Sequence, residues 1–208
     1  MTGRFARPLP AGHDHLAELG HALRALRGDV ERLEAWGRTL RVVLAGGGRL
    51  LACGNGGSAA EAQHLTAELV GRYRDDRAPF SAIPLCGDAP AYTAIGNDYG
   101  ADEVFARQVR AHGREGDVLV AISTSGGSAN VVAAARAARA AGMRTWALTG
   151  RGPNPLAAVC DDAVCVDSPH TATVQEAHLV TLHLLCAAFE LADDATVPLR
   201  GAPAWEVA

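Results

Sequence analysis

Apolar residues recur at three- and four-residue steps from 12 to 46 (Leu16, Leu19, Leu23, Leu26, Leu33, Trp36, Leu40 and Val43) and stop at Gly46-Gly47-Gly48. That periodicity predicts one or two amphipathic helices. Such a stretch ahead of the first strand packs either on its own domain or on a second subunit, and periodicity does not choose between them. The pattern then changes to short continuous apolar runs: LLAC near 50, SAIPL near 81, DVLVAIS near 117, RTWALT near 144 and AVCV near 163, most of them separated by helical stretches. Runs without polar alternation suit a parallel sheet covered on both faces, and the βα rhythm predicts a doubly wound α/β fold with five strands. A last helix, roughly 171 to 191, is apolar over most of its surface but carries Gln175, Glu176, His178 and His183. Beyond 194, Pro198, Gly201 and Pro203 mark a loosely held tail. The organisation expected is an N-terminal helical extension over 1–46, one α/β domain over 47–194 and a tail over 195–208.

Composition narrows the chemistry. The 208 residues, 49% apolar and 20% charged, suit one domain with a well-filled core. The formal charge of -4 and the scattered basic residues lack the footprint of a nucleic-acid binder. All 19 basic residues are Arg, which removes Schiff-base chemistry, pyridoxal phosphate attachment and the P-loop lysine together. Cys53, Cys86, Cys160, Cys165 and Cys186 are odd in number, lack CxxC spacing and mostly sit in apolar runs. They read as reduced core residues of a cytoplasmic protein. No apolar run approaches a membrane span, and the N-terminus has no signal core.

Two Gly/Ser turns stand at strand ends. After the first strand, Gly54-Asn55-Gly56-Gly57-Ser58 opens a helix bearing His64 and Glu68; after the third, Ser123-Thr124-Ser125-Gly126-Gly127-Ser128 opens an Ala-rich helix. Hydroxyls and helix-terminal N–H groups hold a phosphate dianion without any lysine. One such turn is as well explained by helix capping. Two at the carboxyl ends of the first and third strands point to a shared crevice, provided those strands are neighbours, because open α/β sheets bind ligands where strand order reverses. A dinucleotide site is discounted: Gly54, Gly56 and Gly57 do not give GxGxxG, and no acidic residue ends the second strand at Leu85.

His64 and Glu68, four residues apart, form a possible metal or acid/base pair, although such a pair is often a solvated helix face. On the last helix, Gln175 and His183 lie eight residues apart, about 12 Å of rise, so helical spacing prefers Gln175 with His178. A lone His on such a helix is more often a hydrogen-bonded core residue. Thr93-Ala94-Ile95-Gly96-Asn97-Asp98-Tyr99-Gly100 reads as a short polar loop with a constrained backbone.

Taken together, GNGGSAAEAQH, AELVGRY, TAIGNDYG, EVFARQV, GDVLVAISTSG and VQEAHLVTLHLLC, in unbroken order over roughly 45 to 190, resemble the phosphoheptose isomerase family of sugar-isomerase (SIS) domains. The resemblance implies a flavodoxin-like strand order and a homotetrameric enzyme. Its reaction would interconvert sedoheptulose 7-phosphate and D-glycero-D-manno-heptose 7-phosphate, an aldose/ketose isomerisation needing no nucleotide or redox cofactor, with one zinc ion per subunit. Carried over by motif, the metal ligands are His64, Glu68, Gln175 and His183. The substrate contacts are Asn55, Gly56, Gly57, Ser58, Glu68, Asn97, Asp98, Ser123, Thr124, Ser125, Ser128 and Gln175. The family thus prefers His183 where spacing prefers His178.

On that reading Glu68 shifts a proton between C1 and C2 through an enediol, and His183 handles protons on the two oxygens. Departures from the family pattern are modest: Gly127 stands where Asn is usual, Ala129 where Pro is usual, and Cys86-Gly87 precede Asp88. Two other readings share the Gly/Ser turns. One is a non-catalytic SIS adaptor that binds the bacterial replication initiator, whose members typically lack a Glu and a His at the positions of Glu68 and His183. The other is an isomerase of another sugar phosphate.

Overall fold

Short apolar strands are buried on both faces here because successive side chains feed two different cores. In a computed structural model, which describes residues 11–192, β1 (Leu50–Cys53), β2 (Ala82–Pro84), β3 (Val118–Ser123), β4 (Arg144–Thr149) and β5 (Asp162–Cys165) form one parallel sheet in the order β2-β1-β3-β4-β5. Leu50, Ala52, Val118, Val120, Trp146 and Leu148 point to one side, and Leu51, Cys53, Leu119, Ala121 and Ala147 to the other. The central strands β1 and β3, buried along their whole length, therefore read as almost unbroken apolar runs. The predicted doubly wound, flavodoxin-like architecture is what is observed.

The first core is covered by α2 (Val30–Ala45), α3 (Gly57–Val70) and α8 (Thr171–Leu191), and the second by α4 (Ala89–Tyr99), α5 (Glu103–His112), α6 (Ala129–Ala140) and the short α7 (Pro155–Val159). The N-terminal periodicity resolves into α1 (Gly12–Leu26), a 3-10 turn over Arg27–Asp29, and α2. Leu33, Trp36, Leu40 and Leu44 of α2 are buried with Leu182, Leu185 and Phe189 of α8, so this region docks on its own domain. Trp36 stacks on Trp146 of β4 with centroids 4.8 Å apart and ring planes 6° from parallel, while its indole N–H donates to Asp162 at 2.9 Å. The tail expected over 195–208 lies outside the described residues. Among the described residues no helix is long and apolar enough to cross a membrane.

One expectation fails. Residues 93–99 are not a loop but the body of α4. Asp88 accepts from Ala91 N at 3.0 Å and Pro90 lies in the first turn, so the helix is started by a cap and a pre-set φ that outweigh Gly96 and Asn97.

Candidate active site

β1 and β3 are hydrogen-bonded neighbours, so their carboxyl ends lie at the point where strand order reverses, and the two Gly/Ser turns meet there. In the first, Gly56 has φ +56, Ser58 N donates to Asn55 O at 3.0 Å, and Ser58 is buried in the opening turn of α3. In the second, Ser123 Oγ lies 3.0 Å from Ser128 Oγ and 3.4 Å from Ser125 Oγ, and Gly127 N donates to Ser125 Oγ at 3.1 Å. Thr124 sits between them, half-buried. The turns are joined by a reciprocal amide pair: Asn55 Nδ2 donates to Asn130 Oδ1 and Asn130 Nδ2 to Asn55 Oδ1, both at 2.9 Å. Asn130 was missed in the sequence, where the only signal is a lone polar residue in the first turn of an Ala-rich helix.

Gly126 is the tightest point of the second turn. Its φ is +61, and a β-carbon there would stand 2.1 Å from Asn154 Oδ1, whose side chain also caps α7 by accepting from Ala157 N at 2.9 Å. Gly126→Ala is expected to destabilise the fold by about 1–3 kcal/mol, through left-handed strain and displacement of that cap. Thermal unfolding of the purified variant measures this.

The first turn also opens onto a cleft of about 320 Å³ walled by Cys86, Ala89, Tyr92 and Thr93 at the start of α4. Asn97 and Asp98 lie one turn further along that helix, exposed, with Asn97 Nδ2 donating to Asp98 Oδ1 at 2.8 Å. Among the described residues, no hydrogen bond or ion pair joins them to either turn.

The titratable cluster lies between α3 and α8. His64 Nε2 is 3.0 Å from His183 Nε2 and 3.3 Å from Glu68 Oε1, and candidate ligand atoms of the three residues all lie within 4.8 Å of one another. Two nitrogens on a tetrahedral zinc at about 2.0–2.1 Å stand roughly 3.4 Å apart, so this donor set and spacing fit a zinc ion. Tyr73 closes one side, its ring centroid 5.7 Å from that of His183. Glu190 fixes that approach by accepting from Tyr73 N at 3.2 Å and Arg74 N at 3.1 Å. Arg77 caps the end of α3, donating to Glu68 O at 2.6 Å and Leu69 O at 3.0 Å, and so steadies the turn that carries Glu68.

The last helix sends its two histidines to different places. His178 is a core residue, fully buried with Nε2 3.1 Å from Thr149 O, whereas His183 reaches the cluster. Gln175 does not join it: a β-carbon on Gly57 would lie 2.1 Å from Gln175 Nε2, which places that amide at the start of α3, about two turns from His64. The four residues implied as ligands are therefore not assembled around one point within this chain. The cysteines offer no competing nucleophile in the core. Burial pushes the Cys160 thiol up to about 11, and burial together with the nearby Glu68 and Glu190 charges pushes Cys186 up to about 12.

Comparison with known proteins identifies the family. Residues 15–150 match the SIS domain family. A phosphoheptose isomerase of Streptomyces coelicolor is 67% identical over 178 residues, 86% of this chain and 77% of the relative. Another, from Nitratidesulfovibrio vulgaris, is 52% identical over 159 residues, 76% of each chain. Among solved structures, phosphoheptose isomerase GmhA from Neisseria gonorrhoeae superposes with a TM-score of 0.79 at 43% identity, covering 86% of this chain and 96% of that one. A phosphoheptose isomerase from Francisella tularensis gives 0.81 at 34% identity, over 86% and 96%. With more than half its length in the family model and relatives this similar across most of both chains, the protein belongs to the phosphoheptose isomerase family of SIS domains.

Proposed function

We propose that the protein is a phosphoheptose isomerase that interconverts sedoheptulose 7-phosphate and D-glycero-D-manno-heptose 7-phosphate, working in the cytoplasm as a homotetramer with one zinc ion per subunit. The observation that carries this reading is the His64, Glu68, His183 cluster, whose facing imidazole nitrogens stand 3.0 Å apart. A non-catalytic adaptor has no need of that donor set.

The phosphate binds at the two turns, through Asn55, Gly56, Gly57, Ser58, Ser123, Thr124, Ser125 and Ser128. Backbone N–H groups at the starts of α3 and α6, with the hydroxyls, replace the missing lysine. Asn97, Asp98 and Gln175 complete the substrate contacts. Glu68 removes a proton from C1 of the ketose and returns it to C2, passing through an enediol. His183 delivers a proton to the C2 oxygen and accepts one from the C1 hydroxyl, so the sugar leaves with its atoms unchanged in number.

His64, Glu68, His183 and Gln175 would hold the zinc, which supplies Lewis-acid polarisation and orientation of the two sugar oxygens. A carboxylate engaged with a cation is a weaker base, so Glu68 serves both roles only if its coordination is loose. Because Gln175 stands at the opposite end of the α3–α8 contact from His183, the Gln175 donor would come from a second copy of the chain.

Mixing the protein with sedoheptulose 7-phosphate, with and without a chelator, and following formation of the aldose tests substrate, activity and metal together. Conversion that chelation stops and zinc restores is the expected result. No conversion with zinc present favours the adaptor or another sugar phosphate.

A further inference from the structure

Glu61 and His178 make a contact that the reaction scheme leaves without a task. His178 has no exposed surface and Glu61 is 7% exposed. His178 Nε2 lies 3.1 Å from Thr149 O, a carbonyl that only accepts, so Nε2 carries hydrogen. On the far side of the ring, Nδ1 lies 3.7 Å from Glu61 Oε2, and neither atom has a hydrogen-bond partner among the described residues. A neutral ring facing an ionised carboxyl would set two lone pairs against each other out of reach of water. One further proton, on Nδ1 or on the carboxyl, removes the conflict. In either form the pair is net neutral and has a donor between its halves.

The position of this pair gives it a role. α3 and α8 lie side by side in the same direction, with Gln175 at Gly57, His178 at Glu61 and His183 at His64 in succession. Ala62 and Leu65 of α3 and Leu182 and Leu185 of α8 belong to the same apolar core, and apolar contacts attract without direction. A buried polar pair is directional, and setting register is its best-attested use. Glu61 stands one turn before His64, so a slip of α3 along α8 by one residue, about 1.5 Å, would separate the two ligand imidazoles. The Thr149 carbonyl extends the link: the next amide, Gly150 N, donates to Thr124 O of the second turn at 3.1 Å.

We propose that Glu61 and His178 share one proton and act as the positioning pair of the active site, locking α3 against α8 so that His64 and His183 meet at ligand spacing, and tying that cluster to the Ser/Thr turn. This rests on the reading of His64, Glu68 and His183 as metal ligands.

The test titrates metal-free protein with Co2+, followed by visible absorption, alongside sedoheptulose 7-phosphate kinetics and thermal unfolding. In the double variant Glu61→Met with His178→Phe, apolar groups of similar size fill the space, a change that buried pairs commonly tolerate. Expected is parent-like unfolding, with Co2+ affinity and kcat each lower by about 10–100-fold and KM little changed. Glu61→Gln still donates to Nδ1 and should stay close to the parent. A folded double variant that binds Co2+ like the parent overturns the proposal. If it does not fold, Glu61→Gln is compared with Glu61→Leu: a gap of about tenfold in Co2+ affinity supports the pair, and equal affinities overturn it. A parent protein that takes up no Co2+ refutes the metal reading alone. The pair is then judged from the ring nitrogen-15 shifts of His178 read together with the carboxyl carbon-13 shift of Glu61: a proton on Nδ1 or on the carboxyl supports the pair, and a bare Nδ1 facing an ionised carboxylate sinks the idea.

Discussion

Glu68→Gln is expected to lower kcat for sedoheptulose 7-phosphate by about 10²–10⁴-fold, the range that one positioned acid/base group contributes. The substitution is nearly isosteric and leaves both Gly/Ser turns untouched, so the sugar phosphate should still bind. Glu68 lies in the last turns of α3, its side chain 19% exposed and 3.3 Å from His64. It is wet enough for a sugar to reach and steadied from behind by Arg77. Steady-state kinetics paired with calorimetric binding separates the two effects. Residual isomerisation within tenfold of the parent would remove Glu68 from the role of base.

Complementation between inactive chains is the second large effect. Glu68→Gln and Gln175→Ala should each be inactive as pure proteins. Unfolded together, mixed and refolded, they form assemblies in which some sites take Glu68 from one chain and Gln175 from the other, so roughly a quarter of parent activity returns under random pairing. The reason is geometric: Gln175 abuts Gly57 while His183 abuts His64, and these contacts lie about two helical turns apart. Mixtures that stay inactive would mean that all four ligands come from one chain.

Much of the architecture was legible in the sequence, for an identifiable reason. Strands buried on both faces appear as unbroken apolar runs, and Gly46-Gly47-Gly48 and the two Gly/Ser turns punctuate them, so the sheet and both anion turns could be placed. The stretch 93–99 was misread because Gly, Asn and Asp are turn formers on average, whereas here the cap at Asp88 and the proline after it had already begun a helix. The choice between His178 and His183 was harder to read. Spacing along α8 tests which side chains could meet each other, but these residues meet α3 at successive levels, and only the pairing of two helices distant in sequence shows which level holds the His64, Glu68, His183 cluster. Asn130 and Tyr73 were invisible for the same reason, since their partners lie 75 and 110 residues away.

The paired indoles of Trp36 and Trp146 give the molecule its own optical gauge. Two parallel chromophores 4.8 Å apart couple their electronic transitions, and one belongs to an N-terminal helix while the other belongs to the sheet. Near-ultraviolet circular dichroism therefore reports whether that helix is seated, without any label being attached.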